Sequence, residues 1–324
     1  MSTTLKSIVF TDIYLGVETA LLSGVPGTLD PTPVPAQFTD EITTLRELCE
    51  KTLFRHGRDD FSLRHTEISY RVSVLRSISE IVFVLRRFPD EVPKISSLGI
   101  HSSIIERVVK PGLVGLIVVS GAFGQGKTTT ASAIVSERLS RLGGVGVTVE
   151  EPPEMPLQGR HGDGVCYQTW VKQGEFAESC RKATRWAPTM ILLGEVRDSE
   201  TAIEALRAAV NGRLVVCTAH ADSAIMAIER IFALANGAGS AGSPEDISGL
   251  LASGLAGVLH QKLVRSTTEG GSKRLQVETL WLDAEDAPSI RATISSRRFN
   301  QLVSVVQMQK NRLLMAGHAN QKAS

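Results

Sequence analysis

The chain has 324 residues, enough for two domains, and its apolar and charged fractions of 42% and 21% are those of a globular protein. Its 35 Lys and Arg residues nearly balance 34 Asp and Glu residues, which excludes a whole-chain attraction to nucleic acid or anionic lipid. The cysteines are widely scattered, without a C-x-x-C pair, and the sequence shows neither a signal peptide nor a transmembrane segment. We therefore expect a cytoplasmic protein with reduced thiols, which reaches a membrane only through partners.

Residues 1–96 predict a small mixed sheet domain. Short runs of alternating apolar and polar residues, such as SIVFTDIYLG and SYRVSVLR, are separated by turn-rich segments. A helix-cap signature at Thr39 or Asp40 opens a segment with helical periodicity. Residues 97–112 follow a stretch with two prolines and are predicted to be a linker.

Residues 113–324 predict an α/β domain with a parallel sheet. Near-continuous apolar strands (GLIVVS, VGVTV, MILLG, LVVCT) alternate with helical segments, as in sheets that are wrapped by helices on both faces. Glycines after residues 142 and 211 end two of these helices. A Gly/Ser/Ala-rich insert near residues 236–246 is predicted to be a surface loop, and the last segment has a helical period.

The segment LIVVSGAFGQGKTTT matches G-x-x-x-x-G-K-[ST] and lies between a predicted strand and a predicted helix. In that context backbone N–H groups cradle phosphates, Lys127 reaches the β and γ oxygens, and the Thr128 hydroxyl can hold Mg²⁺. We therefore expect an ATP and Mg²⁺ site. The residues predicted to bind the nucleotide are Gly121, Gly124, Gly126, Lys127, Thr128 and Thr129.

Acidic residues follow two of the predicted strands. Glu195 ends MILLG at the carboxyl edge of the sheet, where it can orient or deprotonate water; alternatively, it is an N-terminal charge for the next helix. Glu150, Glu151 and Glu154 crowd the end of VGVTV, where they are either magnesium-site acids with Thr128 or a solvated acidic turn.

His220 follows the apolar strand LVVCT at the same predicted edge. A histidine in this place is either a sensor of the γ-phosphate or a structural cap, and the sequence leaves both roles open.

Four segments stand in an order that resembles a known family. GAFGQGKTTT, VEEPPE, ILLGEVRD and NGRLVVCTAH resemble the Walker A, Asp box, Walker B and His box of the type II/type IV secretion and pilus ATPases. The PilT-like branch is the most similar in length and layout. TDIYLG resembles the opening strand of the family, and ISGLLASGLAGVLHQKLVR resembles the helix after its His box, so the resemblance covers most of the chain.

The resemblance implies a PAS-like α+β domain followed by a RecA-like P-loop domain, in a homo-hexameric ATPase. By this resemblance Glu195 polarises water, and Arg185 fits the arginine that precedes Walker B. Arg71, Arg76 and Arg86 lie where arginines of the family reach the γ-phosphate. The residues that carry catalysis by this resemblance are Glu195, Lys127, His220, Arg71, Arg76 and Arg86. An exposed strand arginine is otherwise only a solubilising charge, so both interpretations stand for the three N-terminal arginines.

Several positions depart from the family pattern. Glu151 replaces the usual aspartate, Arg213 replaces the first histidine of the His box, and Ala187 and Thr189 replace acids around the proline before Walker B. These changes suggest a divergent branch that serves conjugative transfer or a DotB-like secretion system.

The function predicted from the sequence is an ATPase motor that powers a type IV pilus or a type IV secretion machine through an inner-membrane platform protein. The alternative is a RecA-type motor that depends on nucleic acid. The neutral charge balance and the three Trp and three Tyr residues give little support to a stacking groove for nucleic acid. A regulatory subunit that binds nucleotide without hydrolysis is a third hypothesis, and the presence of both Lys127 and Glu195 argues against it.

Overall fold

A computed structural model describes residues 4–172, 174–237, 243–265, 273–282 and 286–321. The chain divides into two compact units, one comprising Met1–Glu91 with Pro152–Pro156 and the other comprising Val92–Glu151 with Leu157–Ser324. The core of the insert that we predicted to be a surface loop, residues 238–242, lies outside the described residues.

The first unit is an antiparallel sheet of six strands in the order β3-β2-β1-β6-β5-β4. The strands are β1 (Asp12–Leu15), β2 (Ala20–Ser23), β3 (Thr32–Pro33), β4 (Asp60–His65), β5 (Ile68–Arg76) and β6 (Ile81–Arg87). Short 3₁₀ turns cover Leu5–Ser7 and Ala36–Phe38, and helix α1 covers Thr39–His56.

Helix α1 follows Phe38 as its N-cap, which makes no side-chain capping hydrogen bond, so Thr39 and Asp40 lie in its first turn rather than at the cap. It ends at Gly57, which adopts the left-handed conformation that glycine tolerates. Its residues Leu45 and Cys49 are buried, as are Phe61 of β4 and Phe83 of β6 in the same unit. A mixed sheet-and-helix unit is therefore present, and its PAS-like character stays a prediction.

The second unit is an eight-stranded sheet in the order β14-β13-β7-β12-β11-β8-β10-β9. Its strands are β7 (Gly115–Ser120), β8 (Val145–Glu150), β9 (Gly159–His161), β10 (Gly164–Trp170), β11 (Met190–Leu193), β12 (Leu214–Ala219), β13 (Leu255–Arg265) and β14 (Lys273–Trp281). Neighbours from β13 through β10 are parallel, whereas the edge strands β14 and β9 pair antiparallel. The largely parallel sheet is confirmed.

Helices cover both faces of this sheet. They are α2 (Ser102–Val108), α3 (Lys127–Leu142), α4 (Phe176–Arg185), α5 (Ser199–Val210), α6 (Ala224–Asn236), α7 (Pro244–Gly254), α8 (Ala287–Ser295) and α9 (Leu302–Gln321), with 3₁₀ turns at Ile95–Leu98 and Phe299–Gln301. Helices α2 and α3 contribute to the apolar core on one face, and α4 to α8 to the core on the other. The central strands are buried on both sides, which explains their continuous apolar sequence.

Two segments differ from their predicted structure. Residues 97–112, for which we predicted a linker, contain α2, whose Ile104 and Val108 are buried in the core of the second unit. The segment predicted as one helix after the His box is α7 followed by strand β13, because residues 255–265 find partners in both β7 and β14. Gly257 allows the close approach: a Cβ atom there would lie 2.4 Å from the Trp281 ring.

No helix among the described residues is long and apolar enough to cross a membrane.

Candidate active site

Four parallel strands end at one edge of the second unit. Their register places Ser120 of β7 beside Ala219 of β12, and Leu193 of β11 beside both Cys217 of β12 and Val149 of β8. The residues that follow these strands therefore emerge side by side at the carboxyl edge, where ligands of open α/β sheets bind.

The phosphate loop runs from Gly121 to Gly126 and leads into α3 at Lys127. Gly124 and Gly126 have φ values of 70° and 78°, which glycine adopts without strain. Gly126 caps α3 without a side-chain hydrogen bond, so the N–H groups of the first turn have no capping side chain. Thr128 and Thr129 lie half-buried in that turn.

His220 lies between Lys127 and Glu195, although the three residues come from separate segments. Lys127 as a residue is 8% exposed, and its ammonium donates a 2.8 Å hydrogen bond to the Ala122 carbonyl. Its Nζ lies 3.4 Å from Nδ1 of His220, and Nε2 of His220 lies 3.1 Å from Oε1 of Glu195. An ammonium can only donate, so these partners fit a neutral imidazole that accepts at Nδ1 and donates at Nε2.

Two further side chains lie beside this cluster, and neither was expected from the sequence. Arg197 donates from Nε to Oε2 of Glu195 at 2.8 Å. Phe123, in the phosphate loop, lies parallel to the His220 ring with centroids 6.4 Å apart. Both lie within segments that carry the motifs. Arg197 comes two residues after Glu195, and Phe123 comes two residues after Gly121, which is the signal that could have identified them.

The three predicted magnesium-site acids have different surroundings. Glu150 is 1% exposed at the end of β8, and its Oε1 accepts a 2.9 Å hydrogen bond from Nε2 of Gln168 on β10. Glu151 follows at the edge, half-buried. Glu154 belongs to the first unit, where its Oε1 lies 3.8 Å from Arg71. Across the described ranges, no group of three or more His, Cys, Asp or Glu side chains is arranged to hold a metal ion.

The structure brings together two of the three predicted N-terminal arginines. Arg71 of β5 lies directly opposite Arg86 of β6, and Arg86 in turn lies opposite Asp12 of β1, to which its Nε donates at 2.7 Å. Arg76 stands at the end of β5, on the other face by strand alternation, and pairs with Asp59 at 2.7 Å. Two guanidinium groups thus share one face of the first unit, while the third is held elsewhere.

Arg185 and Arg213 lie away from the carboxyl edge. Arg185 is the last residue of α4, shortly before β11, and Arg213 directly precedes β12. Both arginines therefore lie at the amino edge of the sheet. Arg213 donates a 3.2 Å hydrogen bond to the Pro188 carbonyl. The arginine in the His-box position therefore supports the turn before β11 rather than the cluster around Glu195.

Comparison with known proteins identifies the family of this chain. The family described as "Type II/IV secretion system protein" matches residues 40–323. The chain belongs to this family. Its members among the matches include secretion E proteins and pilus ATPases, so the resemblance stated from the motifs is confirmed.

Two curated relatives in Escherichia coli K12 illustrate the similarity. The chain is 33% identical to "Putative type II secretion system protein E" over 229 residues, which cover 68% of this chain and 42% of that protein. It is 30% identical to "Uncharacterized protein YggR" over 295 residues, which cover 87% of this chain and 84% of that protein. The chain thus spans less than half the length of the first relative.

Two solved structures share the fold. The pilus retraction motor PilT with bound ADP has a TM-score of 0.75 and 28% identity, over 94% of this chain and 87% of that chain. The Legionella pneumophila ATPase DotB has a TM-score of 0.72 over 92% of this chain and 85% of that chain. Its 23% identity supports similarity of fold alone.

Proposed function

We propose that this member of the secretion and pilus ATPase family hydrolyses ATP in a homo-hexameric ring and drives a type IV pilus or a type IV or conjugative secretion machine. The observation that carries the proposal is the convergence of Lys127, His220 and Glu195 at the carboxyl edge of a parallel sheet. A cation for phosphate and a carboxylate for water are groups that ATP hydrolysis uses, and here the His220 imidazole lies between them.

The phosphate loop fits a nucleoside triphosphate. Its glycines and the uncapped first turn of α3 offer backbone N–H groups to phosphate oxygens, and Lys127 adds a nearly buried positive charge. Thr128 and the buried carboxylate of Glu150 are oxygen donors of the kind Mg²⁺ prefers, and we propose Glu151 and Glu154 as further acids for this role. When bound, Mg²⁺ neutralises charge on the phosphate oxygens.

Glu195 is proposed as the residue that orients water and accepts its proton. Its two carboxylate oxygens are held by different partners, Oε1 by His220 and Oε2 by Arg197. The carboxylate is thereby fixed in orientation, and proton abstraction by a positioned group depends on such geometry. His220 links Glu195 to Lys127, which makes it the proposed sensor of the γ-phosphate.

Arg71, Arg76 and Arg86 are proposed as cations that stabilise the transferred phosphoryl group. The support is the family resemblance together with the placement of Arg71 opposite Arg86. Arg86 is paired with Asp12 and Arg71 lies 3.8 Å from Glu154, so a phosphoryl group would compete with these carboxylates for the two guanidinium groups.

The proposed partners are identical subunits and an inner-membrane platform protein, with the chain acting from the cytoplasmic side. We propose that the chain makes no direct contact with nucleic acid. Single-stranded DNA at low salt should therefore leave ATP turnover unchanged, whereas stimulation by DNA would favour the RecA-type alternative.

The catalytic part of the proposal is tested by Glu195→Gln, with Glu200→Gln as a matched control. Glu200 lies in the first turn of α5, is exposed, and carries the same charge. Loss of the base should lower MgATP turnover by about 10²-fold or more while MgATP still binds, because general-base catalysis contributes about 10²–10⁴-fold. Glu200→Gln should retain turnover. Wild-type turnover in Glu195→Gln would contradict the role assigned to Glu195.

A further inference from the structure

Strand β13 lies directly against the phosphate loop. Nε2 of Gln261 donates a 2.6 Å hydrogen bond to the backbone carbonyl of Gln125. In the reverse direction, the backbone N–H of Leu263 donates a 2.6 Å hydrogen bond to Oε1 of Gln125. A Cβ atom on Gly121 would lie 2.5 Å from the Gln261 carbonyl. The strand thus lies against the loop at its first residue, Gly121, and at its next-to-last residue, Gln125.

Gln261 holds an energetically costly position. The residue is 1% exposed, and its Oε1 is buried without a hydrogen-bond partner in the part of the chain that the structure describes. A buried polar atom left unpaired destabilises the folded state, so an apolar side chain of the same length would serve packing better. What the amide provides is the contact of its NH₂ group with the loop.

The bond to the Gln125 carbonyl also sets the direction of the next N–H group. In a planar trans peptide the C=O and N–H bonds point in opposite directions. Because the Gln125 carbonyl points at β13, the N–H of Gly126 points away from it. Backbone N–H groups with this fixed orientation are what a glycine-rich loop offers to phosphate oxygens.

We propose that Gln125 and Gln261 are positioning residues that hold the phosphate loop in its nucleotide-binding shape before the nucleotide arrives. The proposal rests on the nucleotide binding proposed above for this loop. Without the brace, the flexible backbone at Gly124 and Gly126 samples other conformations, and the fraction of chains that can bind falls. The apparent dissociation constant rises by the same factor.

Gln261→Met tests the proposal, because methionine keeps the length and the apolar stem but removes the NH₂ donor. The matched control is Gln309→Met in the same unit. Gln309 is 4% exposed, and its amide bonds to the backbone of Trp281 at 2.9 Å and 3.0 Å, away from the loop. Both substitutions remove hydrogen bonds from a buried glutamine. Only Gln261→Met removes one from the phosphate loop.

The dissociation constant for MgADP is measured by calorimetry, and the midpoint of thermal unfolding is measured on the same samples. Gln261→Met should bind MgADP about tenfold more weakly than the wild type, the loss expected for a net hydrogen bond. Gln309→Met should lower the unfolding midpoint at least as much and leave MgADP affinity unchanged. Gln125→Ala removes the acceptor for the Leu263 N–H and should also weaken MgADP binding. It tests the proposal if Gln261→Met does not fold.

The outcomes separate this proposal from the one on which it rests. If the wild type does not bind MgADP, the proposed function fails. If the wild type binds but Gln261→Met and Gln125→Ala bind equally well, the brace has no positioning role. Equal weakening in Gln261→Met and Gln309→Met would also overturn the proposal, because it would show a general loss of structure.

Discussion

Ala187 occupies a backbone conformation that suits glycine, and replacing it should stabilise the second unit. Its φ is +50°, in the left-handed region, at the turn between α4 and β11. The left-handed conformation costs an L-residue about 1–2 kcal/mol. Ala187→Gly removes that strain but adds about 0.4–1 kcal/mol of conformational entropy to the unfolded chain. The net expectation is a gain of about 0.5–1 kcal/mol in the free energy of unfolding.

The same substitution at Ala292 is a control with the opposite expected sign. Ala292 is exposed within α8, where glycine costs about 1 kcal/mol relative to alanine. Both variants are compared with the wild type by urea unfolding, monitored by tryptophan fluorescence and circular dichroism. Destabilisation by Ala187→Gly of the size seen for Ala292→Gly would refute the assignment of strain to this turn.

Three further expectations concern stability and reactivity. Glu41→Ala should destabilise the first unit by about 1–3 kcal/mol in urea unfolding, because the Leu5 N–H and the Thr66 hydroxyl both lose the carboxylate to which they donate; unchanged stability would contradict this. Burial lowers the pKa of His260 below its usual 6.5, so its stabilising contribution is complete above that value and is lost as pH falls below it. His260→Gln should therefore lose less stability than the wild type between pH 7.5 and 5, and an equal loss would count against the assignment. Burial raises the pKa of the thiols of Cys49, Cys166, Cys180 and Cys217 to about 12. Because the thiolate is the reactive form, iodoacetamide should label these thiols only after the protein is denatured. Rapid labelling of the native protein would contradict this expectation.

The central strands and the phosphate loop could be predicted because local sequence determines them. Strands β7, β11 and β12 are buried on both faces and appear as unbroken apolar runs. The loop requires glycines at fixed spacing before a helix, and Lys127 follows them directly. Once strands are parallel, their ends share an edge, so the proximity of Glu195 and His220 follows from topology.

Features that depend on distant partners could not be predicted in this way. Residues 255–265 contain small and apolar residues that suit either a helix or a strand, and their pairing with β7 and β14 decides the outcome. The contact between Gln125 and Gln261 joins residues far apart in sequence. Gln125 occupies a variable position of the phosphate-loop motif, and Gln261 belongs to none of the four motifs, so neither identity pointed to the contact. Glu154 is close to Glu151 in sequence, yet it belongs to the other unit, where it pairs with Arg71.

The proposal of a ring motor is tested most directly by MgATP turnover per subunit, measured over a wide range of protein concentration. If subunits complete each other's sites, specific activity should rise steeply with concentration and then saturate, as size-exclusion chromatography shows assembly. Appreciable activity that stays constant down to concentrations at which the protein is a monomer would contradict the account, because each chain would then carry a whole site.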